Sequence, residues 1–348
     1  MEYRLLGRSG LKVSVFSFGA MTFGGSGNFA SVGNTQLEDA GRQIDMCLDA
    51  GVNLFDTANV YSSGQSEELL GQALGSRRPN VLVATKFFGN TGPGVNDLGA
   101  SRHHIINACE ASLRRLGTDY IDLYQIHNQD LVTPVEETLQ ALDDLVRAGK
   151  VRYIGSSNHA GWTMMRSLAV SDRLGLERYV SQQIQYSLLV RDAENELLPL
   201  GVQEGIGALI WGPLASGYLT GKFKDSGDLG GTRLGARGTF EAIDTEHARR
   251  ILAVLGEIAA GHAGATSTQV ALNWVARKAG VSSIIIGART NAQLEDNLAA
   301  STWSLSDEEI GRLDEVSALP MRYPYSMHRA FAGERNPIAP LLPPLPSG

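Results

Sequence analysis

The chain has 348 residues, of which 43% are hydrophobic and 19% are charged, and its formal net charge is −7. This is the composition of an ordinary globular protein with enough apolar residues for a large core, and it argues against extended disorder. A modest negative charge without a Lys/Arg-rich run excludes nucleic acid and membrane surfaces as expected partners, and the lack of a long apolar stretch predicts a cytoplasmic protein.

Short apolar runs alternate with stretches long enough for a helix, which predicts βα units. A predicted hairpin over Tyr3–Val13 comes first and turns at Arg8-Ser9-Gly10. Eight predicted strands follow, at Val15–Phe18, Asn53–Asp56, Val81–Lys86, Ile121–His127, Arg152–Ser156, Ser181–Tyr186, Ala208–Trp211 and Ser283–Gly287. Predicted helices between them include Thr35–Ala50, Ser66–Leu74, Ser101–Leu116 and Pro134–Ala148. The pattern favours an α/β protein with a closed (β/α)8 TIM barrel, although a doubly wound sheet would look the same locally.

Some local signals are more specific. Thr133 is predicted to cap the helix that begins at Pro134. The segment Gly212–Asp244 is too long for a simple βα connection and is predicted to be a functional loop after the seventh strand. After Leu319 the chain is rich in proline, which favours extended structure over a helix. We therefore divide the chain into a barrel domain, residues 1–320, and a C-terminal tail, residues 321–348.

Ionisable residues close three consecutive predicted strands. Asp56 ends the second strand, Lys86 the third and His127 the fourth, while Tyr61 lies in the loop after Asp56. In a parallel barrel the carboxyl ends of the strands form one face, so we expect these four side chains to converge on one pocket.

These four residue types suit the reduction of a carbonyl group. A free phenol has a pKa of about 10 and is a slow acid at neutral pH. An ammonium group beside it stabilises the phenolate, and a carboxylate holds that ammonium in place. A neighbouring imidazole can donate to a carbonyl oxygen as negative charge develops there. Each residue alone has a structural explanation, such as a helix cap for Asp56 or a core histidine for His127, so the prediction depends on all four together.

The chain resembles the aldo-keto reductase family from about Tyr3 to Leu313. The stretches that carry the resemblance are FSFGAMTFG, GVNLFDTANVYSSGQSEELLGQAL, VLVATKFF, SLRRLGTDYIDLYQIH, VRYIGSSN, WGPLASGYLTGK and IIIGARTNAQLEDNLAA. The branch that it resembles includes bacterial aldo/keto reductases and potassium-channel beta-subunit-like proteins. The resemblance implies an NADPH-dependent oxidoreductase that reduces an aldehyde or ketone reversibly, with Tyr61 as general acid and Asp56, Lys86 and His127 completing the catalytic tetrad.

The resemblance also places NADPH across the barrel mouth. Ser157, Asn158 and Gln183 are expected to bind the nicotinamide carboxamide, and Trp211 to stack on the nicotinamide ring. Arg289 and Thr290 resemble residues that hold the 2′-phosphate, so NADPH is favoured over NADH. The other residues expected around the cofactor are Gly19, Ala20, Met21 and Asp56 at the mouth, Gly212, Pro213, Leu214, Ser216, Gly217, Lys222 and Arg233 in the long loop, and Gly287, Gln293, Asp296 and Asn297 after the eighth strand.

A loose dinucleotide-binding pattern, GxGxxA, occurs at Gly25-Ser26-Gly27 and Ala30. Gly33-Asn34 interrupts the helix that should follow such a pattern, so we interpret it as a chance match in a Gly-rich loop. This loop and the tail match no family pattern, which leaves the substrate undefined. Candidates for the substrate wall, with loop packing as the equal alternative, are Met21, Phe23, Phe87, Phe88, Asn128 and Met321.

Two other classes of function compete with a carbonyl reductase. The first is a cofactor-binding regulatory or redox-sensing subunit with slow turnover. The second is a metal-dependent hydrolase that uses His127, Asp56 and the pair His103-His104, but adjacent helical residues point about 100° apart and rarely share a ligand. We therefore expect no metal, a small carbonyl or alcohol as the substrate, and a monomer or a homo-oligomer.

Overall fold

The structure is a computed structural model that describes residues 1–221 and 243–335. The chain begins with an antiparallel hairpin of β1 (Tyr3–Leu5) and β2 (Lys12–Ser14). Eight parallel strands then close into a barrel, in which β10 and β3 pair. They are β3 (Phe16–Gly19), β4 (Leu54–Asp56), β5 (Leu82–Phe87), β6 (Ile121–Ile126), β7 (Val151–Ser157), β8 (Ser181–Gln185), β9 (Gly207–Trp211) and β10 (Val281–Ile286). The predicted hairpin and TIM barrel are confirmed, and the doubly wound alternative is wrong.

Helices connect the strands and pack around the barrel. Those that precede β9 are α1 (Leu37–Asp49), α2 (Gln65–Leu74), α3 (Arg102–Leu116), α4 (Val135–Arg147), α5 (Gly161–Leu174) and α6 (Leu197–Glu204). The later ones are α7 (Thr245–Gly261), α8 (Ser267–Ala276), α9 (Asn291–Ala299), α10 (Asp307–Val316) and α11 (Tyr325–Arg335). Local signals set several of their ends: Ser306 and Glu309 form a capping box at the start of α10.

A small apolar cluster closes the amino end of the barrel. The hairpin contributes Leu6 and Val13, and the barrel strands contribute Leu54, Leu123 and Leu209, all at most 1% exposed. The larger core lies between the strands and the surrounding helices. Because the hairpin covers one end, the carboxyl ends of the strands form the open face, where barrel enzymes carry their sites.

Two local predictions are wrong. Thr133 does not cap α4, because Pro134 occupies the N-cap position and the Thr133 hydroxyl donates to Asp130 Oδ2 at 2.9 Å. The tail is not extended throughout, because Tyr325–Arg335 forms α11. Pro324 directly precedes this helix, where a missing N–H is tolerated, and no proline interrupts it. Tyr325 Oη donates to Glu196 Oε1 at 2.6 Å and so ties α11 to the barrel domain.

The predicted loop Gly212–Asp244 lies only partly within the described residues. Its described start contains a short 3-10 segment, Ala215–Thr220, and its described end leads into α7. Residues 222–242 and the tail after Arg335 lie outside the described residues. None of the helices in the described ranges is both long and apolar enough to span a membrane.

Candidate active site

Lys86 lies at the centre of a polar cluster at the carboxyl end of the barrel. Its side chain is 0% exposed, and Nζ donates to Asp56 Oδ1 at 2.5 Å and to the Thr57 carbonyl at 2.8 Å. The Tyr61 hydroxyl lies 3.4 Å from the same nitrogen. Burial alone would lower the pKa of Lys86, but the Asp56 carboxylate and Tyr61 outweigh it and raise that pKa above its usual value. Lys86 therefore carries its positive charge next to the phenol.

Two buried glutamines orient Asp56. Its second oxygen, Oδ2, accepts from Gln183 Nε2 at 2.9 Å and from Gln125 Nε2 at 3.1 Å. Gln125 is 0% exposed and Gln183 is 3% exposed. Both carboxylate oxygens therefore have donors, which holds Asp56 in one orientation against Lys86.

Tyr61 and His127 face each other across the same pocket. Tyr61 begins a short turn, Tyr61–Gly64, after β4, and His127 directly follows β6. Their rings have centroids 5.8 Å apart and meet edge to face. The structure thus brings together all four residues predicted for catalysis.

His127 is neutral at physiological pH. Burial, together with the nearby Lys86 ammonium, lowers the pKa of His127 from 6.5 to about 3. A neutral imidazole has one N–H donor and one acceptor nitrogen. It can therefore donate a hydrogen bond to an oxygen in the pocket without adding a second positive charge beside Lys86.

The lowered pKa of His127 predicts a pH-dependent stability. The folded protein disfavours the imidazolium, whereas the unfolded chain takes up that proton below pH 6.5, so the unfolding free energy falls as the pH drops from 6.5 towards 3. Between pH 8 and pH 5, wild type should lose about 2 kcal/mol of unfolding free energy through this effect. His127→Gln, which lacks the imidazole, should not show this loss. Urea unfolding at both pH values measures it, and an unchanged difference would contradict the assignment.

A cleft of about 240 Å³ runs beside this cluster, between the carboxyl ends of β3, β9 and β10. It adjoins the cluster because Gly19, which lines the cleft, pairs in register with Asp56. The residues predicted to bind the cofactor that line it are Gly19, Met21, Gly212, Pro213, Leu214, Ser216, Gly217, Gly287, Arg289, Gln293, Asp296 and Asn297. The cleft thus gathers residues from three separate parts of the sequence.

The far end of the cleft lies at the start of α9. The Thr290 side chain caps this helix by accepting from the Gln293 N–H at 3.3 Å, and the Gln293 Oε1 accepts from the Arg289 N–H at 3.0 Å. Arg289 lines the cleft, and its guanidinium forms no ion pair with residues 1–221 or 243–335. An arginine beside a helix N-terminus suits a phosphate group.

Other predicted cofactor residues lie outside this cleft. Asn158 is exposed, and its side chain joins two elements: Oδ1 accepts from Trp211 Nε1 at 3.0 Å, and Nδ2 donates to the His127 carbonyl at 3.0 Å. Ser157 is buried and donates to the Gln183 carbonyl at 3.1 Å. Ala20 is buried in the turn after β3. Lys222 and Arg233 lie outside the described residues.

Sequence reasoning missed some residues of the site. Gln125 is the clearest case, because it lies in the apolar run of β6 and its role in holding Asp56 appears only when the closed barrel brings it within reach of side chains on β4 and β8, each two strands away. The available signal was its spacing: Gln125 lies two residues before His127, and alternate residues of a strand point to the same face. The cleft is also lined by residues that were not predicted: Thr22, Val32, Thr220, Thr268, Ile285, Ile286 and Ala288.

The candidates for the substrate wall separate into two groups. Phe23 and Phe87 are 0% exposed and belong to the hydrophobic core, so they are not available as a wall. Met21 lines the cleft, Phe88 is half-buried, and Asn128 and Met321 are exposed. A ring that was not predicted, Phe29, packs against Tyr61 with centroids 5.1 Å apart.

The alternative of a metal-dependent hydrolase finds no support. His103 and His104 lie on α3, outside the barrel, whereas Asp56 and His127 lie at its mouth. Among the described residues, no three His, Cys, Asp or Glu side chains are grouped closely enough to hold a metal ion.

The closed parallel barrel, with its Lys, Asp, Tyr and His cluster at the carboxyl ends of the strands, defines a TIM-barrel protein with an enzyme-type site. The family model described as "Aldo/keto reductase family" matches residues 16–318, and the chain belongs to this family. Members of the family generally use NAD(P)H.

Several known relatives match most of the chain. A "Probable voltage-gated potassium channel subunit beta" of Arabidopsis thaliana is 37% identical and aligns with 86% of this chain and 91% of its own length. An uncharacterized oxidoreductase of Bacillus subtilis is 38% identical over 91% of this chain and 96% of its own. The "Versiconal hemiacetal acetate reductase" of Aspergillus parasiticus is 33% identical over 96% and 100%. The family and these relatives support an oxidoreductase.

Proposed function

We propose that the protein is an NADPH-dependent reductase that converts an aldehyde or ketone to an alcohol, reversibly, with Tyr61 as the general acid. The observation that carries the proposal is the buried Lys86 ammonium, which contacts Asp56 at 2.5 Å and lies 3.4 Å from the Tyr61 hydroxyl at the barrel mouth. A fully buried lysine next to a half-buried phenol at the mouth of a barrel is typical of a catalytic site.

Each residue of the cluster has a separate role in the proposed reaction. Bound NADPH would supply the hydride to the carbonyl carbon. Tyr61 Oη gives its proton to the carbonyl oxygen, and Lys86 stabilises the phenolate that remains. The neutral His127 donates a hydrogen bond to that oxygen while charge builds on it. In the reverse direction the Tyr61 phenolate takes the proton from the alcohol.

The cofactor proposal depends on the cleft beside the cluster. Small residues after β9, including Gly212 and Gly217, leave room for a diphosphate, and Arg289 faces the same space. Trp211, at the end of β9 and held by Asn158, is proposed to stack on the nicotinamide. NADPH is preferred over NADH in this proposal because of Arg289, and Lys222, Arg233 and Thr290 stay predicted contacts.

Purified protein should oxidise NADPH when an aldehyde or ketone is added, measured by the loss of NADPH absorbance over a panel of aliphatic, aromatic, alicyclic and sugar-derived carbonyls. The same mixture without a carbonyl is the control. Activity on at least one carbonyl supports the proposal. A protein that binds NADPH and turns over none of them would contradict it.

Arg289→Ala should weaken NADPH use selectively. One charge-assisted contact to the 2′-phosphate contributes about 1.5–3 kcal/mol, so we expect KM for NADPH to rise about 10- to 100-fold while KM for NADH stays the same. Arg289→Lys keeps the charge but loses the planar guanidinium, so its KM for NADPH should lie between those of wild type and Arg289→Ala. Steady-state kinetics with each cofactor measure the effect. An equal rise for both cofactors would exclude a contact specific to the 2′-phosphate.

A second candidate is a regulatory or redox-sensing subunit, because relatives in Arabidopsis thaliana, Oryza sativa and Schizosaccharomyces pombe are named as potassium channel beta subunits. The turnover number separates the two functions. A metabolic reductase should reach about 1–10³ per second on its best substrate, whereas a sensor would hold its cofactor with far slower turnover. A cytoplasmic location stays a prediction for both.

A further inference from the structure

We propose that the Gly-rich loop between β3 and α1 clasps the turn that carries Tyr61, which makes Ser26 and Ser62 positioning residues for this phenol. The clasp consists of residues 24–27, GGSG, which contain the first three residues of the loose dinucleotide-binding pattern. The inference rests on the proposed function of Tyr61 as the proton donor.

The turn after Tyr61 has a backbone that needs outside support. Ser62 has φ 49° and ψ 39°, and Ser63 has φ 55° and ψ 36°, so two consecutive residues with side chains adopt the left-handed conformation. Each such residue costs about 1 kcal/mol or more, and a conformation of this kind persists only when surrounding contacts hold it. Ser62 is 0% exposed, so the contacts around it decide where the turn lies.

The clasp bonds the hydroxyl and the carbonyl of Ser62. The Gly25 N–H donates to Ser62 Oγ at 3.1 Å, and Ser26 Oγ donates to the Ser62 carbonyl at 2.6 Å. The loop is itself anchored to the start of α1, because Gln36 Nε2 donates to the Gly24 carbonyl at 2.8 Å. A chain of hydrogen bonds thus runs from α1 through the loop to the residue next to Tyr61.

Two glycines allow the loop to come this close. A Cβ on Gly24, which has φ +99°, would lie 2.7 Å from the Ser62 Cβ. A Cβ on Gly27, which has φ +57°, would lie 2.7 Å from Ser63 Oγ. Side chains at these positions would push the loop off the turn. The clustering of glycines therefore has a structural cause other than dinucleotide binding.

The position of the turn matters because the contact between Tyr61 Oη and Lys86 Nζ, at 3.4 Å, is longer than an ordinary hydrogen bond. This contact alone does not hold the phenol in place. The loop between β3 and α1 also carries Phe29, just after the clasp, and the centroid of its ring lies 5.1 Å from that of Tyr61. Loosening the loop should therefore move the proton donor relative to Lys86 and to the substrate.

Ser26→Ala tests the clasp, because it removes the hydroxyl that donates to Ser62 and changes nothing else. We expect kcat to fall about 10- to 100-fold with KM for NADPH unchanged, since small displacements of a catalytic group have effects of this size. Ser26→Thr keeps the hydroxyl and suits the extended backbone of residue 26, φ −117° and ψ 165°, so it should restore kcat. Ser63→Ala, in the same turn, is the matched control, because the Ser63 hydroxyl is exposed and has no hydrogen bond among the described residues.

Amide hydrogen exchange of residues 60–66 gives a readout that needs no turnover. We expect faster exchange there in Ser26→Ala and wild-type exchange in Ser63→Ala. The clasp is overturned if Ser26→Ala matches wild type in kcat and exchange, or if Ser26→Thr is no better than Ser26→Ala. If wild type reduces no carbonyl, the proposed function fails, and exchange alone decides the clasp: faster exchange in Ser26→Ala supports it, and unchanged exchange overturns it.

Discussion

Tyr61→Phe should lower kcat by about 10²- to 10⁴-fold, the usual contribution of a positioned general acid. The substitution keeps the aromatic ring, which packs against Phe29 and His127 with centroids 5.1 and 5.8 Å away. It removes only a hydroxyl whose contact with Lys86 Nζ is 3.4 Å long. We therefore expect the unfolding free energy to change by less than about 1 kcal/mol.

Steady-state kinetics on the best carbonyl, together with NADPH binding by fluorescence, measure this prediction. NADPH affinity should be unchanged, because the lost group acts on the carbonyl oxygen. Tyr153→Phe is the matched control, since Tyr153 packs against the apolar cluster at the amino end of the barrel, away from the open face. Full activity in Tyr61→Phe would remove Tyr61 as the acid, whatever the function of the protein.

Lys86→Met should abolish turnover and also destabilise the fold by about 3–5 kcal/mol. The lysine is 0% exposed, and its removal leaves the Asp56 carboxylate, 4% exposed, without its charged partner. The two amide donors of Gln125 and Gln183 stay in place but carry no positive charge. A buried charge that has lost its partner is the costly part of the change.

The double variant Asp56→Asn/Lys86→Met separates stability from catalysis. Removing the orphaned charge as well should recover much of the lost unfolding free energy, since replacing both members of a buried pair is far less costly than breaking it. Turnover should not recover, because the ammonium next to Tyr61 is still absent. Urea unfolding and kinetics on the two single variants and the double variant measure the coupling. A double variant no more stable than Lys86→Met would contradict this account.

Much of the fold follows from periodic patterns that are local in the sequence. Each of the eight predicted strands overlaps an observed one, because apolar runs that end in polar residues mark buried parallel strands. The predicted ends of helices were less accurate where a residue outside the helix competes for the side chain that would cap it. Thr133 has the right residue type for a cap, yet its hydroxyl is used by Asp130, three residues away and outside α4. Composition misled in the tail, where the prolines lie around α11 and not within it.

In the candidate site, too, some residues follow from local patterns and others do not. Asp56, Lys86 and His127 could be placed together because each ends a strand, and the carboxyl ends of parallel strands always share one face. Gln125 could not be predicted in this way, since its contact with Asp56 joins β6 to β4, two strands away, and exists only in the closed barrel. The cleft residues came from family resemblance, and the structure supplies the one space that Met21, Gly212 and Arg289 share.

The sequence by itself determined that the protein is α/β and which residues form the polar cluster, because strand periodicity and strand ends are local properties of the chain. Only the tertiary structure decided how these groups are held. The loop at residues 24–27 reaches Ser62, some 36 residues away in the chain, through a 2.6 Å hydrogen bond that no local pattern encodes. The neutral state of His127 likewise arises from burial and from the Lys86 charge, which exist only after the barrel has closed. Contacts between distant segments, and the desolvation that they cause, set the chemistry of residues that the sequence could only name.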